Sequence, residues 1–217
     1  MKTVYFISGM GADERAFGYL DLSFCKPVFV KWIKPLKGET LPSYAARLAE
    51  QIREPEPILV GLSFGGLVAG EIAKLIAVKK LILLSSAKTA SEIPFYYKLL
   101  RFLPFHHIIS ASFLRQGNRL GYRIQRMANR EDKKLFTVML SVTDADLLKW
   151  SIHQLVHWKN KSYPRHTHQI HGTHDLMIPY LFVRPHDTVR GGTHLMLMNK
   201  PALVSGLLKQ AVESREE

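Results

Sequence analysis

The sequence predicts an α/β protein: a mostly parallel sheet with helices on both faces and an all-helical segment inserted before a late strand. Three observations predict it. Short, continuous apolar runs, Ile58-Leu59-Val60 and Leu81-Ile82-Leu83-Leu84, alternate with helix-length segments, as in sheets buried on both faces. From Ile93 to Trp158 the pattern turns helical, with no convincing strand. Strand character resumes at His168 and is followed by a terminal helix.

In chain order, residues 4–8 form a strand of bulky and β-branched side chains ending at Gly9-Met10-Gly11. Residues 28–32 form a second strand, and residues 43–53 a helix with Ser43 as N-cap after Pro42. A strand over 58–60 is bounded by Pro57 and Gly61, and a helix over 64–77 has apolar and small residues on most faces. Residues 81–84 form the next strand, entered from Lys79-Lys80. Inside the insertion, helices are expected over 93–103, 105–114, 119–129, 132–141 and 143–158. The last of these opens on Thr143 with Asp146 three residues on, a capping-box variant. Strands over 168–171 and 188–190 and a helix over 202–214 complete the chain. The expected division is a core of residues 1–87 and 165–217 with residues 88–164 as the insertion.

Composition bounds the function. The chain of 217 residues, 47% hydrophobic and 22% charged, suits one globular domain with an insertion. No run approaches the roughly 18 apolar residues that span a membrane, and the opening segment reads as a strand rather than a signal peptide. The single cysteine, Cys25, excludes an internal disulfide and favours a reducing compartment, so a cytoplasmic location is expected. The net charge is +12, and residues 88–164 hold 13 Lys and Arg against 5 Asp and Glu. That asymmetry points to an anionic substrate, membrane surface or nucleic acid near the insertion.

The chemistry centres on Gly61-Leu62-Ser63-Phe64-Gly65. A serine between a strand and a helix sits at a sharp turn, and glycines on either side remove the Cβ atoms that would clash there. A hydroxyl is a weak nucleophile that needs a base oriented by a carboxylate. Downstream lie Asp175, in Gly172-Thr173-His174-Asp175, and His194, in Gly191-Gly192-Thr193-His194. Each follows an expected strand, where parallel sheets present their sites.

These three motifs resemble the α/β-hydrolase family, whose nucleophile elbow is G-x-S-x-G and whose order along the chain is Ser, Asp, His. The resemblance implies the α/β-hydrolase fold, a helical cap formed by residues 88–164, and a catalytic triad of Ser63, Asp175 and His194. It also implies an oxyanion hole from the backbone N–H groups of Met10 and Phe64. The family commonly has His-Gly where this chain has Ser8-Gly9; the backbone donor is kept and the imidazole is not. His174 adjoins the acid but precedes it, against the family's order.

Other signals carry less. Gly9-Met10-Gly11 lacks the third glycine of a dinucleotide fingerprint, which falls at Glu14. His153 and His157 have helical zinc-site spacing, yet Gln154 replaces the glutamate of a metalloprotease. His166, His168, His171 and His174 read as a strand with flanking loops. Arg115, Arg119, Arg123, Arg126 and Arg130 share one helical face, either a solvated surface or an attraction for anions. Phe95, Tyr96 and Leu99 open an aromatic segment that reads as core or as part of an apolar acyl site.

The leading expectation is a serine hydrolase acting on a carboxylic ester or thioester through an acyl-enzyme, with no cofactor and no metal. Phe95, Tyr96, Leu99, Arg119 and Arg123 are the candidate substrate contacts, for a small ester that is anionic or carries an apolar acyl chain. No nucleic-acid partner is expected. A carbon–carbon bond hydrolase or lyase on the same fold is the alternative, and a non-catalytic binding protein the third reading.

Overall fold

The computed structural model describes residues 1–99, 122, 127 and 129–214. Its strands are β1 (Lys2–Ile7), β2 (Cys25–Phe29), β3 (Ile58–Leu62), β4 (Lys80–Leu84), β5 (Thr167–Gly172) and β6 (Asp187–Val189). They form one sheet in the order β2-β1-β3-β4-β5-β6, with every pairing parallel. The chain steps outward from β1 to β2 and then crosses back to lay β3 on the other side of β1. That reversal opens a crevice at the carboxyl ends of β1 and β3.

The continuous apolar runs follow from two covered faces. Tyr5, Ile7, Leu59, Leu81 and Leu83 pack on one face beneath helices α1 (Leu41–Ala49) and α2 (Phe64–Ile72), through Tyr44, Leu48, Leu67 and Ile72. On the other face Val4, Phe6, Val60, Ile82 and Leu84 pack with Val204, Leu208 and Ala211 of the terminal helix Pro201–Glu213. Successive strand residues therefore enter different cores, and neither face is left for water.

Between β4 and β5 the described residues form α3 (Phe95–Leu99), α4 (Arg130–Val142) and α5 (Ala145–His157). The expected helices over 105–114 and most of 119–129 lie outside the described residues. Helix α5 is fastened to the core before α1. Trp150 Nε1 and Gln154 Nε2 donate to the Glu39 carbonyl at 2.8 and 3.2 Å, and Leu41 N donates to Gln154 Oε1 at 3.0 Å. After β6 come the short α6 (Met196–Asn199) and then α7 (Pro201–Glu213), which starts on a proline whose missing N–H costs nothing there.

Several boundaries differ from the sequence reading. β2 begins three residues earlier and contains Pro27, which is tolerated because β2 is the sheet edge and its outer side needs no donor. α1 is capped by Thr40 rather than Ser43: Thr40 Oγ1 accepts from Ser43 N at 3.4 Å, and Pro42 falls in the first turn. α2 ends at Ile72, where Lys74 N and Leu75 N switch to carbonyls three residues back. Pro94 keeps Ile93 out of α3. The cap of α5 is Asp144, accepting from Asp146 N and Leu147 N at 2.8 and 3.0 Å, while Thr143 closes α4.

Candidate active site

Ser63 is held in an unusual backbone state. It has φ 51° and ψ −123°, in the positive-φ region that non-glycine residues rarely occupy. The strain is held from both sides, since Ser63 N donates to Leu84 O at 2.9 Å and Ser86 Oγ donates to Ser63 O at 2.7 Å. The neighbouring glycines let helix and strand meet. A Cβ on Gly61 would lie 2.4 Å from Gly66 Cα, and one on Gly65 would lie 2.1 Å from Ser8 O. No side chain fits in either place.

Ser63 Oγ lies 2.8 Å from His194 Nε2, and His194 Nδ1 lies 2.8 Å from Asp175 Oδ2. A carboxylate only accepts, so Nδ1 carries the proton and Nε2 is left to accept from the serine. The other carboxylate oxygen, Oδ1, accepts from Met177 N at 2.8 Å and Ile178 N at 2.9 Å. Asp175 is almost fully buried. Burial alone would raise its pKa, but the charge of His194 in its protonated form and hydrogen bonds from His171 and His194 outweigh it, holding the carboxyl well below the usual range.

The loops carrying Asp175 and His194 are locked together. A Cβ on Gly172 would fall 2.2 Å from Gly192 O, His174 N donates to Gly192 O at 2.8 Å, and Gly191 N donates to Thr173 Oγ1 at 2.9 Å. Asn199 Nδ2 donates to Gly191 O at 2.9 Å, tying the loop to α6. His174 itself is exposed. Strand alternation parts the clustered histidines: His168 Nε2 meets Asp187 Oδ2 at 2.6 Å, whereas His171 turns inward beneath Asp175.

Phe64 is the first residue of α2, so its N–H is among the orphan donors of a helix start. The loop bearing Met10 comes alongside, with an added Gly9 Cβ only 3.4 Å from Ser63 Cβ. Ser8 fixes this loop in place of an imidazole. Its Oγ donates to Ala12 O at 2.8 Å and accepts from Trp32 Nε1 at 2.9 Å.

A cavity of about 280 Å³ opens over Ser63 and His194. Its walls are apolar and come from both parts of the chain: Met10 and Leu67 from the core, Met139 from α4, and Leu148 and Ile152 from α5. Of the candidate substrate contacts, Phe95, Tyr96 and Leu99 are exposed and do not line this cavity; Tyr97 and Ile93 do. Leu148, Ile152 and Leu155 of α5 also line it, and their 148, 152, 155 spacing was a helical-face signal readable in the sequence. Arg119 and Arg123 lie outside the described residues. Among those described, no group of three His, Cys, Asp or Glu gathers at metal-binding distance, and no helix is long and apolar enough to cross a membrane.

A family model described as the alpha/beta hydrolase family matches residues 8–206. A thermophilic esterase from Thermogutta terrifontis is 17% identical, with a TM-score of 0.70 over 98% of this chain and 89% of that one. An esterase from Exiguobacterium antarcticum is 15% identical, with a TM-score of 0.71 over 99% and 92%. A bromoperoxidase from Bacillus anthracis is 14% identical, with a TM-score of 0.70 over 98% and 92%. No curated protein matches the chain. At these identities the likeness is one of fold, and the fold carries more than one chemistry.

Proposed function

The chain belongs to the alpha/beta hydrolase family, and within it we propose a serine hydrolase that cleaves a carboxylic ester or thioester. One observation carries this reading: an uninterrupted hydrogen-bond chain, Ser63 Oγ to His194 to Asp175, meets the floor of an apolar cavity. In the proposed mechanism His194 Nε2 takes the hydroxyl proton as Ser63 Oγ attacks the carbonyl carbon. Asp175 keeps Nδ1 protonated and supports the imidazolium. The amides of Met10 and Phe64 receive the oxyanion. The imidazolium returns its proton to the leaving alcohol or thiol. Water, with His194 again as base, then releases the acid from the acyl-enzyme.

Residues 88–164 act in this reading as a cap, with α4 and α5 roofing the acyl site. A cavity of about 280 Å³ holds roughly nine water-sized groups, which favours an apolar acyl chain of medium length over acetyl.

Fluorophosphonate labelling of wild type and Ser63→Ala, followed by turnover of p-nitrophenyl esters from acetyl to decanoyl, tests the proposal. Expected are labelling that needs Ser63 and a turnover optimum at medium chains. Labelling unchanged in Ser63→Ala would remove the nucleophile. Cleavage of a diketone without ester turnover would keep Ser63 and overturn the ester assignment.

A further inference from the structure

The imidazole of His171 has no place in the mechanism above, yet it sits directly beneath the carboxylate that mechanism uses. It projects from β5 and is fully buried. Its Nε2 lies 2.8 Å from the Ile178 carbonyl and 3.2 Å from Asp175 Oδ2. Both neighbours are acceptors, so Nε2 bears the proton and shares it between them. Its Nδ1 has no hydrogen-bond partner among the described residues.

The orphan Nδ1 argues against a merely space-filling role. An apolar side chain of similar volume would fill the same space without leaving a polar atom unmatched. What the imidazole supplies, and such a side chain does not, is the shared Nε2–H.

We propose that His171 is a positioning residue: its Nε2–H fixes Asp175 Oδ2 at the orientation that aligns His194 with Ser63. The inference rests on the serine-hydrolase reading above. With His171 in place the carboxylate has two donors on each oxygen, the Met177 and Ile178 amides on Oδ1 and the two imidazoles on Oδ2. The same N–H holds the Ile178 carbonyl, so it also fixes the turn that runs from the acid to Ile178. Without it, Oδ2 keeps only His194, and the carboxylate can swing about a side-chain torsion that is intrinsically broad. The base would then lose alignment with the hydroxyl.

The test compares wild type with His171→Leu, His171→Gln and His171→Asn. The amide nitrogen of Gln reaches the place of Nε2, whereas that of Asn reaches only the place of Nδ1. Readouts are kcat and KM on p-nitrophenyl hexanoate, the rate of fluorophosphonate labelling, and the low-field proton resonance of His194 Nδ1, assigned by its loss in His194→Ala. His171→Leu should lower kcat and labelling rate about ten- to hundredfold, leave KM within about twofold, and displace the resonance. Gln should restore most of both, and Asn should not. A folded Leu variant with wild-type kcat and resonance would overturn the proposal. So would Gln and Asn variants equally impaired, since that reports packing alone. If the Leu variant does not fold, the Gln and Asn pair still decides. If wild type shows no labelling that depends on Ser63, the hydrolase reading fails, while the resonance still reports whether His171 holds Asp175.

Discussion

Asp175 Oδ2 stands 2.8 Å from His194 Nδ1 while its other oxygen is bonded by the amides of Met177 and Ile178. The carboxylate is thus anchored to its own loop by one oxygen and aims the imidazole with the other. Asp175→Asn presents an N–H or a weaker acceptor to Nδ1 and allows the wrong tautomer of His194. The expected loss in kcat is about 10⁴-fold, with KM little altered. Steady-state kinetics on a medium-chain ester measure it, and a loss below about tenfold would remove Asp175 from the mechanism.

The same carboxylate makes stability depend on acid. Its pKa in the folded protein is held below the ordinary value of 3.8. A depressed carboxyl contributes stability that is complete above its unfolded pKa and is lost as pH falls through the lower folded value. Urea midpoints measured from pH 6 downward should therefore fall below about pH 4 in wild type and fall less in Asp175→Asn. Parallel curves for the two proteins would contradict the assignment.

Gly65 is expected to tolerate no side chain. Its added Cβ would stand 2.1 Å from Ser8 O and 2.4 Å from Ile7 O, both backbone atoms that cannot turn aside. Gly65→Ala should destabilise the protein by about 3 kcal/mol or more and displace the loop bearing Met10. Thermal unfolding followed by circular dichroism gives the answer, and an unchanged melting temperature would show that the elbow is looser than described.

Chain-length selection should reside in the helices between β4 and β5. Leu148 and Ile152 line the cavity from α5, so Leu148→Trp shortens the space above Ser63. Turnover of octanoyl esters should drop at least about tenfold relative to acetyl esters if the proposed acyl site is this cavity, because the larger ring fills part of it. Equal losses on both esters would place the acyl chain elsewhere.

Cys25 offers an independent check on the second core. It is buried in the same apolar cluster as Val4 and Phe17, and burial pushes the pKa of its thiol up to about 11. At pH 8 the native protein should react with iodoacetamide far more slowly than the urea-unfolded chain. Matching rates, followed by mass spectrometry, would show that this core opens readily.

Local rules made much of this molecule readable. The apolar runs at 58–60 and 81–84, the helical stretch that follows, and Ser63 between its glycines depend on period, turn geometry and Cβ clashes within a few residues. Asp175 and His194 stood out because each follows a strand and a glycine-bearing turn, so they could be named before anything placed them together. What the sequence withheld was where short helices start and how turns fold back on their strands. Thr40, not Ser43, caps α1, and Phe95, Tyr96 and Leu99 face outward while Tyr97 and Ile93 face the cavity; both outcomes turn on where a short helix starts. His171 was one histidine among ten. Only the approach of the Asp175–Ile178 turn to β5 gives its Nε2 two acceptors. These residues stand only four and seven positions apart, but whether a turn folds back over the strand it follows is set by packing against the rest of the chain, and the pattern of neighbours along the sequence carries no record of it.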